Sequence, residues 1–362
     1  MRNEETGPVC SSEQLESVRQ LVGPDEPALF TVLQQLTKEY DEITTIQLTK
    51  EFCFHCQTDE NKRVGLEYLY MNGLLDEVQE LVKINEESAN QINREWAYLY
   101  QFFLDRKLRN AEIDDFEAFF SRFQTSDPEL ECLIIFTKIY VHCDKFDFKV
   151  IDNYRGILTK QLLKINNTLL RIYFQLRENE MLFVHHFKRN DIEAARNYGR
   201  NLIENSLINY AKKCYVTANL AETYVFDDFE KAKVYIKEAK DIAIKYDLSY
   251  FLGVINNRIV PFMHAVNNDC DGIETNDIPE AAHLEAVKGN AEEAVRLLNS
   301  LEELTPYQEY YLGLATGDEK VLYNSYQRLL KEKKDFFFSK LPLRELQKRG
   351  WNSIEEENAN AH

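Results

Sequence analysis

Hydrophobic positions recur every three to four residues along most of the chain. In "EPALFTVLQQLTKEY" (26–40), Leu29, Val32, Leu33 and Leu36 fall on one helical face. The segments 89–108, 127–143 and 165–187 carry the same period. Strand-like alternation is poor, and no hairpin dipeptide sits between alternating apolar runs. With 12 Gly and 8 Pro in 362 residues, few positions break a helix, so the pattern predicts long helices joined by short loops. The fold class expected is all-α.

The breaks fall at "NG" (72–73), "KRND" (188–191), "FDD" (226–228), "KGN" (288–290) and "TGD" (316–318), each followed by a short helix rich in Ala, Leu and Glu. "NDIEAARNYGRNL" and "DDFEKAKVYIKEAKDIA" share one order of residues: an acid, an apolar residue, Glu, then Ala. Ala195 and Ala232 are separated by close to the roughly 34-residue period of tetratricopeptide repeats. The expected architecture is therefore a superhelical stack of tetratricopeptide-like helix pairs. Within "NLAETYVFDDFEKAKVYIKEAK" (219–240), Leu220, Ala221 and Tyr224 lie on a first helix and Ala232, Ile236 and Ala239 on a second. Small residues belong where two helices cross closely, and Asp227 or Asp228 can cap the second helix. Stacked pairs leave a concave face that can hold an extended peptide. Asn219 and Glu222 sit between the packing positions and are candidates for that face; the same spacing also describes ordinary solvated residues.

Charge narrows the partners. A net charge of −18 and a pI near 5.0 oppose broad contact with a phosphate backbone and suit a cationic or neutral partner. Seven irregularly spaced Cys point to a reducing cytosol rather than a disulfide framework. The start, "MRNEETGPVCSSEQLESV", has neither a basic segment nor an apolar run, so no signal peptide is expected. No stretch of about 18 apolar residues is present to span a membrane. The expected location is cytoplasmic.

Motifs that could carry chemistry are incomplete. "CFHC" (Cys53, His55, Cys56) could supply half a zinc site or a redox pair, but no second CxxC exists, and "HC" at 142–143 is the other candidate partner. "NNDCDGIETNDI" (267–278) places Asn267, Asp269, Asp271 and Gly272 at the first, third, fifth and sixth positions of a calcium loop, but Ile278 stands where a bidentate Glu is required. His185 and His186 adjoin on a helix and face different directions. No GxSxG, HExxH, GxxxxGK[ST] or GxGxxG occurs. No cofactor, metal or catalytic activity is expected.

The segment "YYLGLATGDEKVLYNSYQRLLKEKKDFFFSKLPLRELQKRG" (310–350), with "TYVFDDFEKAK", resembles the AimR family, the arbitrium peptide receptors of SPβ-like Bacillus phages. The likeness runs from about residue 27 to 350. It implies an N-terminal helix-turn-helix that binds DNA, repeats that bind a short secreted peptide, and control of the choice between lysis and lysogeny. It also implies that Asp335 pairs with an Arg of the peptide and that Phe337 packs beside it. The Arg with which the family takes the peptide carboxylate aligns near Ala211, and Lys212 or Lys213 would substitute as a point charge. A family Asn is Glu222 here, which repels a carboxylate and welcomes a cation.

Three regions are read from this. Residues 1–57 form a helical remnant of the helix-turn-helix module, 58–350 the repeats and 351–362 a polar tail in place of a dimerising one. In the first 50 residues Arg2, Arg19, Lys38 and Lys50 face more than twice as many acids, and "SSEQLESVRQLV" offers only Arg19 to a phosphate. The expectation is thus an AimR-like receptor for a short peptide. The alternative is a repeat protein resembling the Rap regulators, which grips a regulator protein under peptide control without touching DNA. Homodimerisation stays open in both.

Overall fold

The computed structural model describes residues 10–108, 116–121, 123 and 125–351. Among them every regular element is a helix, as the periodicity predicts. They divide into two compact units, one within Met1–Cys143 and Lys149–Arg177, the other within Asp144–Phe148 and Glu178–His362. Of the tail 351–362, all but Trp351 lies outside the described residues.

The first unit contains α1 (Ser12–Arg19), α2 (Leu29–Glu39), α3 (Glu42–His55), α4 (Asp59–Met71), α5 (Leu75–Glu86), α6 (Gln91–Lys107), α7 (Phe116–Ser121), α8 (Pro128–Asp144), α9 (Lys149–Leu162) and the first half of α10 (Thr168–Lys188). α2, α6, α8 and α10 fall on the four segments picked out by their apolar period. The core gathers Trp96, Tyr100 and Phe103 from α6, Phe136 from α8 and Phe174 from α10. Trp96 stacks between Tyr100 and Phe174, with centroids at 5.8 and 6.5 Å. Inside this aromatic core lies Glu67, whose carboxylate takes Nε and Nη2 of Arg177, each at 2.7 Å. The Tyr100 hydroxyl donates to the same carboxylate. No side chain of this trio is more than slightly exposed.

The second unit continues from α10 through α11 (Ile192–Ile203), α12 (Tyr210–Thr223), α13 (Phe229–Lys245), α14 (Ser249–Val254), a π-helical turn (Ile255–Ile259), α15 (Val260–Val266), α16 (Ile278–Val287), α17 (Ala291–Leu298), α18 (Pro306–Thr316), α19 (Glu319–Lys331) and α20 (Lys340–Lys348). Helical pairs form between α12 and α13, α16 and α17, and α18 and α19. Ala195, Ala221, Ala232 and Ala239 are fully buried, where small side chains let helices approach. Gly199 is tighter still: a Cβ there would lie 2.6 Å from Leu220 Cδ2. The breaks at 72–73, 288–290 and 316–318 turn on Gly73, Gly289 and Gly317, with φ of 77°, 85° and 72°. Each reverses the chain in the left-handed region that glycine enters without strain.

At "FDD" the two candidate caps separate. Asp228 accepts the Lys231 N–H and caps α13. Asp227 instead binds Arg196, which also donates to the Thr223 carbonyl at 2.7 Å and lies 3.6 Å over the Tyr224 ring. The hinge is thus held by its own helices. The loop that begins like a calcium site is also used structurally: the Asn267 amide donates to the carbonyls of Val225 and Met263, and Ile278 starts α16.

Candidate ligand cleft

A cleft of about 470 Å³ opens in the second unit. Its walls come from six places in the chain: Lys188 at the end of α10, Glu222 on α12, Arg258 to Phe262 around the π turn, Asp277 to Glu280 at the start of α16, Thr305 to Tyr311 at the start of α18, and Phe338 just before α20. Two helix N-termini therefore meet it. Asp277 caps α16, and Thr305 caps α18 in a capping box with Gln308. The π turn widens the helix at 255–259, a distortion often found at functional positions. It presents Arg258, whose Nε donates to Asp277 Oδ2 at 2.8 Å. On its other side the Asn257 carbonyl takes the Thr275 hydroxyl at 2.6 Å, tying down the loop that leads to α16.

The cleft carries both signs of charge, with Lys188 and Arg258 against Glu222, Asp277 and Glu280. Arg258 is matched by Asp277, and Lys188 by Asp335. Glu222 has no hydrogen-bond or ion-pair partner for its carboxylate among the described residues. Burial pushes its carboxyl up to about 7; Asp335 and Glu280 add to the rise and Lys188 opposes it. Glu280 Oε1 accepts the Tyr311 hydroxyl at 2.8 Å, while Oε2 has no hydrogen-bond donor. Burial, and then the Glu280 charge, hold the Tyr311 hydroxyl well above its usual range.

The residues singled out by sequence separate into three groups. Asp335 is fully buried, with Oδ2 taking Lys188 Nζ at 2.5 Å and the Tyr307 hydroxyl at 2.6 Å, and Oδ1 taking the Phe338 N–H at 3.0 Å. Phe337 is 1% exposed and sits among Phe187, Phe226 and Phe338 at 4.8–5.0 Å. These two stand behind the cleft, while Lys188, Tyr307 and Phe338 line it. Glu222 lines it directly. Asn219, Lys212 and Tyr215 share the Glu222 face of α12 at helical spacing. Lys212 Nζ is bound by both oxygens of Glu180 at 2.6 and 2.7 Å, and the Asn219 amide donates to the Tyr215 carbonyl at 2.7 Å. Neither residue lines the cleft. Lys213 is turned by about 100° from Lys212 around the helix and lies off that face.

Lys188, Arg258, Glu280 and Tyr307 escape a reading of the sequence. Lys188 opens the break at 188–191 and Glu280 follows the loop at 267–278, and both look like ordinary helix-end charges. Arg258 depends on a π turn that no local pattern announces. Tyr307 follows Pro306 at the first turn of α18, where an aromatic usually belongs to a core.

The other candidate motifs remain structural. Cys53 and Cys56 close α3, with Cys56 Sγ donating to the Cys53 carbonyl at 3.3 Å. Burial raises both thiols, that of Cys56 to about 12, whereas a reactive CxxC needs a lowered one. Among the described residues no three His, Cys, Asp or Glu side chains converge to hold a metal ion. His186 Nδ1 lies 3.0 Å from Asp191, and the His185 ring stands at 80° to it. At the N-terminus, Arg19 Nε is bound to Glu51 Oε1 at 2.6 Å. No described helix is long and apolar enough to cross a membrane.

The family model described as "AimR transcriptional regulator-like" matches residues 45–348. The AimR transcriptional regulator of Bacillus phage phi3T is 26% identical over 348 residues, covering 89% of this chain and 85% of that protein. That of Bacillus phage SPbeta is 23% identical over 340 residues, covering 89% and 86%. Among solved structures, "Structure of phAimR-Ligand" superposes with a TM-score of 0.74 at 19% identity, over 90% of this chain and 98% of the other. The selenomethionine form of phAimR gives 0.69 at 17%, over 94% of each. These structures share the helical-repeat fold.

Proposed function

The chain belongs to the AimR transcriptional regulator-like family, and from that premise we propose that it is an intracellular receptor for a short secreted peptide of the arbitrium type, acting on the transcription that decides between phage lysis and lysogeny. The observation that carries this reading is the cleft of about 470 Å³ between helix pairs. It is walled by two helix N-termini and by charges of both signs, which suits a short chain with a charged side chain and a terminal carboxylate. A relative solved as a ligand complex shares the fold. The test is calorimetry of the whole chain with synthetic hexapeptides drawn from the reading frame next to its gene. Saturable binding of one of them with micromolar or tighter affinity is expected, and no binding of any removes the receptor reading.

A second reading places the output on a protein rather than on DNA. It is favoured by α1, where Arg19 is bound to Glu51 and is not free for a phosphate. On this reading the chain resembles the Rap regulators in holding a regulator protein and releasing it when peptide binds. An electrophoretic shift on DNA flanking the gene separates the two. A specific shift that weakens steeply with salt supports direct DNA contact, and no shift at low salt supports the protein partner. Dimerisation is a third element of the proposal, read by sedimentation with and without peptide.

A further inference from the structure

We infer that the outward face of α9, in the first unit, is a docking surface for an acidic segment of a partner protein, seated over Gly156 and held by Lys149, Lys160 and Lys164. This rests on the second reading of the function, in which the output passes through a protein, and it names the surface and the charge that partner meets.

The chain has 61 Asp and Glu against 43 Lys and Arg, so its cations should find acids easily. Yet from Asn153 to Arg171 there is no Asp or Glu, while Arg155, Lys160, Lys164 and Arg171 all fall there. α9 turns its apolar side inward, where Val150, Ile151, Leu158 and Leu162 are at most 5% exposed. On the opposite side Lys149, Gly156, Lys160 and Leu163 fall within about 60° of one another, at about 100° per residue, with Ile157 and Lys164 along one edge. The helical path carries on into the closing turn, where the Leu163 N–H reaches the Thr159 carbonyl at 3.3 Å. All six residues are exposed. None of the three ammonium groups has a hydrogen-bond or ion-pair partner among the described residues. The one acid on the helix is Asp152.

The apolar residues of this face decide between partners. Leu163 is 83% exposed, more than any other large apolar side chain among the described residues, and Ile157 is 50% exposed. Exposed apolar side chains rimmed by charge are the anatomy of a protein contact. A phosphate backbone would use the lysines and leave Leu163 and Ile157 without a partner. A protein segment with carboxylates around one or two apolar residues matches both.

Gly156 is a second and independent mark. It stands in the middle of α9, where glycine is less favourable than alanine. At Gly199 and Gly313 a Cβ would lie 2.6 and 2.8 Å from a leucine side chain, so close packing inside the chain explains the glycine. At Gly156 a Cβ would meet no atom within 4 Å, and nothing inside the chain explains it. A bare stretch of helix backbone at the centre of the face lets a partner's backbone come close, with Leu163 and Ile157 beside it and the lysines around it.

The experiment uses the full chain with the photo-crosslinking residue p-benzoylphenylalanine in place of Leu163, made in cells that carry its gene. The control position is Tyr250 of the second unit, which is 74% exposed. The expected result is one acidic protein joined from position 163 and not from position 250. That protein, purified, should bind the unsubstituted chain in calorimetry, and severalfold more weakly at about 0.5 M than at about 0.1 M salt. Combining Lys160→Glu with Lys164→Glu, checked for unchanged helical circular dichroism, should weaken it at least tenfold. Gly156→Ala should move two properties in opposite directions: the thermal midpoint rises by about 1–2 °C, and partner affinity falls about fivefold. Unchanged affinity in the charge-reversed chain or in Gly156→Ala overturns the inference. So does crosslinking to nucleic acid, to lipid or to a second copy of the chain, or the absence of any crosslink. Partner binding that a saturating hexapeptide leaves intact removes peptide-controlled release and leaves this surface standing. A regulator that peptide releases, but that wild type and the charge-reversed chain bind alike, does the reverse.

Discussion

Glu67 in the first unit and Asp335 in the second are both fully buried carboxylates, and both take a tyrosine hydroxyl and a cation carried by α10. They differ in the cation and in what surrounds it. Arg177 meets Glu67 with two nitrogens in one plane and is covered by the rings of Tyr70 and Phe103 at 4.6 and 5.0 Å. Lys188 meets Asp335 with a single nitrogen, keeps 24% of its side chain exposed, and forms part of the wall of a cleft. A bidentate fork sealed in aromatic rings fixes two helices in one arrangement. A point charge at a cleft wall holds its carboxylate while leaving its positive field available to the cleft. The same combination of carboxylate, cation and tyrosine hydroxyl thus serves as a brace in one unit and as an electrostatic lining in the other.

The largest effect expected from this contrast is at the brace. Arg177→Met leaves Glu67 charged, buried and short of two donors, and should cost about 3–5 kcal/mol in urea unfolding. Replacing both partners, as in Glu67→Leu with Arg177→Met, should recover most of that loss, because the desolvation cost of the charge disappears with it. A single Arg177→Met variant of near wild-type stability would break the comparison at its firmer end.

The next effect is a pH dependence. The Glu222 carboxyl stands at about 7 in the fold, against an ordinary value of 4.5. Between those two values the folded chain holds more protons than the unfolded one, so stability falls as pH rises through that window and levels off above it. Glu222→Gln lacks this loss. Its stability relative to wild type should therefore grow from pH 4.5 to 7 and stay constant beyond. The gain should be on the order of 2 kcal/mol once solvent contact of a half-buried group is allowed for. Glu129 in the first unit is also raised to about 7 by burial, so the whole-protein profile mixes the two. The difference between wild type and Glu222→Gln isolates the cleft, and a flat difference would show that the cleft does not strain its carboxylate.

The helical class, the repeat spacing and most of the breaks are legible in the sequence because each rests on short-range rules. Leu29, Val32, Leu33 and Leu36 mark their face within one helix, and Gly289 and Gly317 mark turns that need positive φ. The "FDD" hinge is partly legible, since either acid could cap; only the position of Arg196, far back on α11, decides for Asp228. The cleft is a different matter. Its walls come from six stretches of chain, and which carboxylate is satisfied depends on pairings such as Lys188 with Asp335, 147 residues apart. The resemblance to a family picks out Asp335 and Glu222 together, yet nothing local tells that one is already matched and the other is not.

The smallest effect concerns Lys188 itself, and it sharpens the comparison from the side of the cleft. Lys188→Met removes the single nitrogen that meets Asp335, but the carboxylate keeps the Tyr307 hydroxyl and the Phe338 N–H. The methionine can still lie against the Phe338 ring, over which the lysine nitrogen now stands at 5.6 Å. The expected cost is about 1 kcal/mol in urea, that of a partly exposed pair rather than of a sealed one. Removing the one positive charge that favours the ionised form of Glu222 should also raise its carboxyl further. The pH window measured with Glu222→Gln should then move upward when both proteins carry Lys188→Met. A cost as large as that of Arg177→Met would make Lys188 a second brace, and an unmoved window would mean that its field does not reach the cleft.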